Sequence, residues 1–173
     1  MHILTRQSKY DKIRMLTIMF LSEEEMVMLV TVYSAGLFGI DGFPVRVETD
    51  IGNGLPAFDV VGLPDAAVKE SRERVHSALK NCGFEFPMRR ITVNLAPGEL
   101  RKEGPVYDLP ILLSILVASK QLELPPEVEE NACFVGELSL SGQVCPASGV
   151  LPMTIAARDS GAKAIFVPAD NGR

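Results

Sequence analysis

Residues 57–83 read AFDVVGLPDAAVKESRERVHSALKNCG, and this stretch contains the pattern of a strand, a turn and a helix in succession. Residues 57–61 form a short apolar run that suits a buried strand. Gly62 and Pro64 interrupt the run, and Asp65 is placed to cap the first turn of a helix. Gly83 is a suitable helix stop. Apolar side chains recur along the helix at helical spacing, at Val68, Val75, Leu79 and Cys82.

Two more strands are predicted on the N-terminal side of this unit. Residues 29–34 are rich in β-branched and aromatic side chains. Residues 45–51 alternate between apolar or Thr side chains and charged ones, which is the period of a strand with one wet face. The Gly-rich residues 35–42 predict a turn between the two strands.

On the C-terminal side, further strands and helices alternate. We expect strands at 91–95, 133–135 and 164–167, a hairpin at 138–144, an apolar helix at 108–119 and a helix with Pro152 in its first turn that Gly161 ends. Residues 96–105 form a long polar loop, and Pro125-Pro126 marks a connector. This order predicts one α/β layered domain with a mixed sheet and its helices on one side.

The composition excludes several classes of protein. The 173 residues carry a net charge of −5, so the chain as a whole is not a basic nucleic-acid binder, although a local basic patch is compatible with it. Three widely spaced cysteines and two isolated histidines favour neither a disulfide framework nor a metal site. We interpret the cysteines as small buried side chains in a reducing, cytoplasmic setting. Because no apolar run reaches about 20 residues, no membrane span is predicted.

The first 27 residues differ from the rest of the chain. They lack turn residues and a clear period, and they end near the triplet Glu23-Glu24-Glu25. We therefore predict that 1–27 is an extension outside the domain, that the domain occupies 28–173, and that the natural start is Met26 or Met28. The alternative is an amphipathic helix that binds a membrane surface or a partner.

Several segments carry a resemblance to a known family. They read YSAGLFGIDG at 33–42, GLPAFDVVGLPD at 54–65, VKESRERV at 68–75, ITVNLAP at 91–97, KEGPVYDLP at 102–110 and FVGELSLSG at 134–142. Together they resemble the start of the ComM/YifB family of magnesium-chelatase-like AAA+ ATPases, over about residues 28–171.

The resemblance implies a Lon-protease-like, ribosomal-protein-type domain that precedes an AAA+ module. It also implies a hexameric, ATP- and Mg²⁺-dependent protein that acts in DNA branch migration and natural transformation. Because members of the family continue well beyond residue 171, we expect this chain to be a truncated form of such a domain, with a sheet edge or an apolar face uncovered.

The resemblance also identifies positions where Lon-type peptidases hold a Ser nucleophile and its Lys partner. In this chain those positions are Val106 and Leu151, and neither side chain is a nucleophile or a base. We therefore predict no peptidase activity. The alternative is a divergent peptidase that uses Lys102 and Ser148, although a surface-loop lysine and a turn serine are the simpler interpretation. Tyr107 is expected to point away from the site.

An ATPase site is not predicted in this chain either. The sequence contains no G-x-x-x-x-G-K-[ST] phosphate loop, so no cofactor is expected here and ATP and Mg²⁺ belong to the full-length family. The remaining candidate sites are basic residues that contact DNA phosphates or a neighbouring subunit: Arg72, Arg74, Arg89, Arg90, Arg101 and Lys102. The alternative for the helix is a solvated face on which Arg72 and Lys69 pair with Glu73 and Glu70.

Overall fold

The computed structural model describes residues 29–172. The predicted extension 1–27 and the predicted start at Met26 or Met28 lie outside the described residues. Within these residues, eight strands are present: β1 Val30–Phe38, β2 Asp41–Gly52, β3 Ala57–Val61, β4 Arg90–Ala96, β5 Ala132–Phe134, β6 Glu137–Leu138, β7 Val144–Cys145 and β8 Ala164–Phe166. The α-helices are α1 Ala66–Asn81, α2 Asp108–Ala118, α3 Pro126–Asn131 and α4 Val150–Asp159. Short 3₁₀ helices cover Pro105–Tyr107 and Ala169–Asn171.

Six strands form a mixed sheet in the order β3-β4-β2-β1-β5-β8, and β6 pairs with β7 in a separate hairpin. The β1–β2 and β2–β4 pairs are antiparallel, whereas β3–β4, β1–β5 and β5–β8 are parallel. This arrangement confirms the predicted α/β fold class with a mixed sheet. Val45, Val47 and Thr49 of β2 are buried on one face, as their alternation predicts.

The prediction that the helices lie on one side of the sheet is wrong. The Thr49 and Ser114 hydroxyls lie 2.6 Å apart, so α2 packs on the face that carries Thr49. Gly42 lies seven residues before Thr49 in the same regular strand, so a side chain at position 42 would point to the opposite face of the sheet. A Cβ at Gly42 would approach the Ala156 Cβ of α4 to 2.9 Å. Helix α4 thus covers the other face, because alternation in a strand does not reveal whether its second face is also covered.

The strand–turn–helix unit forms as predicted. Asp65 accepts a hydrogen bond from the Val68 amide at 2.7 Å, which satisfies one free amide of the first turn of α1. Gly83, just after the helix, has φ +83°, a conformation that L side chains rarely adopt. Val68, Val75 and Leu79 are fully buried. By contrast, Cys82 is exposed and Cys145 is half-buried, so of the three cysteines only Cys133 fits the prediction of a buried side chain.

Two segments differ from expectation in extent. Strand β1 continues to Phe38 and β2 begins at Asp41, so the predicted turn at 35–42 shrinks to Gly39 and Ile40. The connector at Pro125-Pro126 leads directly into the short helix α3, with Pro126 in its first turn. A proline there needs no amide partner, so the same residue that marks a connector also starts a helix.

We predict that Gly42→Ala lowers the free energy of unfolding by about 1–3 kcal/mol, the range for overpacking a tight contact. The added Cβ would lie 2.6 Å from the Pro152 carbonyl carbon, so the backbone of α4 must move away from the sheet. Urea denaturation measures the effect. Gly98→Ala is the matched control, because a Cβ there meets nothing within 4 Å. Equal stability of the two variants would contradict the packing of α4 against Gly42.

Candidate functional site

The turn that precedes α2 forms one wall of the candidate site. Gly104 has φ +79°, Pro105 starts the 3₁₀ helix, and Val106 follows with its side chain 6% exposed. The Gly136 amide donates to the Val106 carbonyl at 2.9 Å, and the Leu109 amide donates to the Gly136 carbonyl at 3.0 Å. These two bonds fix the turn against the segment that leads into β6.

The two positions of the Lon-type dyad are occupied by aliphatic side chains in different environments. Val106 faces a cavity of about 440 Å³, a volume typical of small-ligand sites. Leu151, in the first turn of α4, is 71% exposed and is not part of the cavity lining. The lining is made by Leu37, Gly39, Glu103, Gly104, Pro105, Val106, Glu137, Pro146, Ala147, Ser148 and Met153.

The loop 146–149, which forms the opposite wall, is held by the side chain of Asn171. Asn171 accepts from the Ala147 amide and donates to the Ala147 carbonyl, both at 2.9 Å. Gly149 then adopts φ +72°, and its Cα lies against the Leu37 side chain of β1. Both walls of the cavity are therefore fixed by hydrogen bonds to backbone groups, in addition to side-chain packing. One wall is held by backbone–backbone bonds and the other by the Asn171 side chain.

Lys102 is not a surface-loop lysine, and that interpretation of the sequence is wrong. Its residue is 0% exposed, and its ammonium group donates to the carbonyls of Pro97 and Leu100, the latter at 2.7 Å. The backbone of Lys102 also pairs with the turn before α1. The Lys102 amide donates to the Leu63 carbonyl at 3.1 Å, and the Asp65 amide donates to the Lys102 carbonyl at 3.0 Å. Burial lowers the pKa of the Lys102 ammonium. Lys102 does not line the cavity that holds Ser148, so the structure does not bring these two residues together as a dyad.

Tyr107, next to Val106, is 1% exposed and points into the domain. A Cβ on Gly36 would overlap the Tyr107 hydroxyl, so the ring requires a glycine at this point of β1. Burial raises the pKa of the Tyr107 phenol. The tyrosine therefore acts as part of the core beneath the turn, and it is not part of the cavity lining.

Arg74 forms a partly buried ion pair within the domain, so its guanidinium is already bound by described residues. Its guanidinium binds the Asp108 carboxylate through two bonds of 2.6 and 3.0 Å and also donates to the Ala67 carbonyl at 2.8 Å. Asp108 is fully buried and accepts in addition from the Leu138 amide at 3.1 Å. The hydrogen bond to Asp108 raises the pKa of the Arg74 guanidinium. The pair ties α1, the start of α2 and β6 together.

The other four arginines predicted as contact residues are exposed: Arg72, Arg89, Arg90 and Arg101. Three of them lie around β3. Arg72 donates to the Phe58 carbonyl at 3.2 Å, Arg90 lies 3.5 Å from Asp59, and the Arg89 carbonyl accepts from the Ala57 amide. Arg101 is separate from this group and lies 3.4 Å from Glu103.

The alternative prediction for α1, in which Arg72 and Lys69 pair with Glu73 and Glu70, does not match the observed contacts. The Arg72 side chain donates to the carbonyls of Phe58 and Lys69, while Glu70 lies 3.7 Å from Arg74. A small aromatic cluster near Arg72 was not predicted from the sequence, in which aromatic residues are scarce. The Phe86 ring lies 4.6 Å from the His76 ring and 5.8 Å from the Phe58 ring. His76 follows Arg72 by four residues, a spacing that places both on one helix face.

Across residues 29–172, no three His, Cys, Asp or Glu side chains are grouped to hold a metal ion. Over the same residues, no helix has both the length and the apolar character needed to span a membrane.

Comparisons with known proteins identify the relatives of this chain. The model of the family described as subunit ChlI of Mg-chelatase matches residues 47–171. Competence protein ComM of Haemophilus influenzae is 46% identical over 132 residues, which cover 76% of this chain and 26% of ComM. The uncharacterized protein YifB of Escherichia coli is 43% identical over 143 residues, which cover 83% of this chain and 28% of YifB.

More distant similarity extends to peptidases. A Lon protease of Treponema pallidum is 30% identical over 143 residues, which cover 78% of this chain and 16% of that protein. The chain spans about a quarter of the length of the ComM and YifB relatives.

We predict that Arg74→Met lowers the free energy of unfolding by about 3–5 kcal/mol, because it leaves the buried Asp108 carboxylate without its cation. Urea denaturation of the purified chain measures the loss. Arg158→Met is the matched control, since Arg158 pairs with Asp159 at 2.8 Å while 71% exposed, and such a surface pair contributes about 0–1 kcal/mol. If the two variants lose the same stability, the Arg74–Asp108 pair does not have the role assigned to it.

Proposed function

Because this chain belongs to the Mg-chelatase ChlI family, with ComM and YifB among its relatives, we propose that it supplies a noncatalytic domain of a longer AAA+ ATPase. The domain serves assembly of that protein or contact with DNA. In this proposal the ATP and Mg²⁺ of the whole protein act in an AAA+ module outside this chain, and the whole protein works as a hexamer in DNA processing.

The observation that carries the noncatalytic part is the side chain at the Lon-type nucleophile position. The Val106 side chain contains no oxygen or sulfur, and a hydrolytic mechanism of this type needs such a nucleophile with a base beside it. The exposed Leu151 offers no base at the partner position. Lys102, the alternative base, is bound by two backbone carbonyls in a separate buried location.

The binding part of the proposal is supported by the arginines around β3. Arg72 and Arg89 make no ion pair of 4.0 Å or less with a described residue, and the one pair of Arg90 is long and exposed. Their guanidinium groups are therefore available to phosphate oxygens or to carboxylates of a neighbouring subunit. His76, on the same face of α1 as Arg72, packs edge to face with the Phe86 ring. Arg101 extends the candidate surface on the loop 96–105.

We expect the chain to release no fluorescence from a fluorogenic casein substrate above the buffer blank, because Val106 and Leu151 supply neither a nucleophile nor a base. Trypsin at the same concentration serves as the positive control. Hydrolysis that both Lys102→Met and Ser148→Ala abolish would support the divergent peptidase and overturn the noncatalytic assignment.

We expect the triple variant Arg72→Gln, Arg89→Gln and Arg90→Gln, built into a full-length protein that carries this domain, to impair DNA binding or oligomer assembly. If DNA is the partner, the slope of log affinity against log salt should become shallower by about 1 for each phosphate that the variant no longer binds. Fluorescence anisotropy and sedimentation measure the two properties.

The matched control removes three exposed cations elsewhere, with Lys120→Gln, Arg158→Gln and Lys163→Gln. It changes the net charge by the same amount, so a nonspecific charge effect would appear equally in both variants. Unchanged DNA binding and assembly in the arginine variant would remove the arginines around β3 from the proposed contact surface. The isolated chain should bind DNA weakly, since its net charge is −5.

A further inference from the structure

The cavity beside Val106 has the form of a binding site, and valine stands at its proposed nucleophile position. Its lining combines apolar residues, among them Leu37, Val106 and Met153, with polar ones. Two carboxylates, Glu103 and Glu137, line the same space. A concave apolar site with a few polar groups at fixed positions is the usual form of a ligand pocket.

The Glu137 carboxylate is the polar group that this cavity leaves available. Among residues 29–172, no lysine, arginine or histidine nitrogen lies within 4.0 Å of it. Glu103 does have a neighbour, Arg101 at 3.4 Å, but both side chains are more than 60% exposed and such pairs are weak. The backbone on both sides of Glu137 is fixed, because Gly136 before it is bonded to the Val106 turn and Leu138 after it is bonded to Asp108.

Exposed apolar side chains flank this cavity. Phe38 and Ile40 are 67% and 88% exposed, and they stand on either side of Gly39, which lines the cavity. Leu151 is 71% exposed and follows the lining residue Ser148 by three positions. The contact of Gly149 with Leu37 holds the start of α4 beside the β1–β2 hairpin. A group of apolar side chains around a cavity is typical of a binding surface.

We propose that this cavity binds an extended peptide segment with a lysine or arginine between apolar residues. The methylene stem of the basic side chain enters the cavity beside Leu37, and its cation forms a charge-assisted hydrogen bond with the Glu137 carboxylate. The apolar neighbours of the basic residue cover Phe38, Ile40 and Leu151. The peptide remains uncut, because Val106 stands where a nucleophile would have to be.

The choice of a basic peptide follows from charge and shape together. Both carboxylates favour a cation, and no cationic side chain of the described chain lines the cavity. The apolar walls favour the methylene stem that lysine and arginine place behind their charge. This proposal does not depend on DNA contact by the arginines around β3, which lie on other elements.

The test uses the 173-residue chain labelled with ¹⁵N and two capped tripeptides, acetyl-Leu-Arg-Leu-amide and its citrulline analogue. Citrulline keeps the shape of arginine and removes its charge. We expect the arginine peptide to shift the amide resonances of Gly104, Gly136 and Ser148, and to bind about tenfold more tightly than the citrulline peptide. Glu137→Gln should abolish that preference, whereas the exposed Glu127→Gln should keep it.

Three results would each overturn the proposal. The first is the absence of shifts with the arginine peptide up to about 1 mM, the weak limit of specific binding. The second is equal affinity for the two peptides. The third is a preference for arginine that Glu137→Gln leaves intact. Because the two-peptide comparison uses the unmodified chain, it decides the matter even if a variant fails to fold. Casein hydrolysis and DNA binding are measured separately, so a failure here leaves the proposed function standing.

Discussion

The ion pair between Arg74 and Asp108 is the interaction on which the other parts of the domain depend. Asp108 is fully buried, and its two oxygens together accept two bonds from Arg74 and one from the Leu138 amide. A buried carboxylate without these partners would carry a large desolvation penalty. Its place at the start of α2 also sets the negative charge at the positive end of the helix dipole.

The cavity follows from that pair through short covalent and hydrogen-bonded steps. Asp108 directly follows the 3₁₀ turn that contains Val106, and Leu138 directly follows Glu137. Fixing Asp108 therefore fixes the backbone at two residues of the cavity lining, Val106 and Glu137. The remaining wall depends on Asn171, whose amide replaces a backbone partner for Ala147. The cavity thus keeps a defined shape although valine stands at the proposed nucleophile position.

The sequence was sufficient to predict the strand–turn–helix unit and most strands, because local spacing and cap residues determine them. It was insufficient for the ion pair between the partly buried Arg74 and the fully buried Asp108. Arg74 lies among Ser71, Val75 and Ala78, which are all buried. The small side chains of Ser71 and Ala78, three positions before and four after it, were the available indication that Arg74 lies toward the buried face of the helix. The partner of Arg74 is 34 positions away in the chain, and nothing local indicates it.

Lys102 illustrates a different limit. Residues 96–105 are rich in Gly, Pro and charge, and such composition usually indicates a solvated loop. Here the loop folds over the lysine, and carbonyl oxygens from the loop itself replace water around the ammonium group. Likewise, the placement of α4 on the second face of the sheet requires knowledge of the pairing between distant strands. The glycine at 42 permits a close backbone approach, but the sequence does not indicate which element approaches.

The burial of Lys102 also has a consequence for the chemistry of the protein. Acylating reagents and acetyltransferases need a neutral, solvent-accessible amine, and this amine is enclosed by the loop that contains it. Among the lysines that the structure describes, Lys102 is therefore protected from modification while the loop is closed. Its labelling would report the opening of that loop, which gives the domain an internal chemical probe of its own local unfolding.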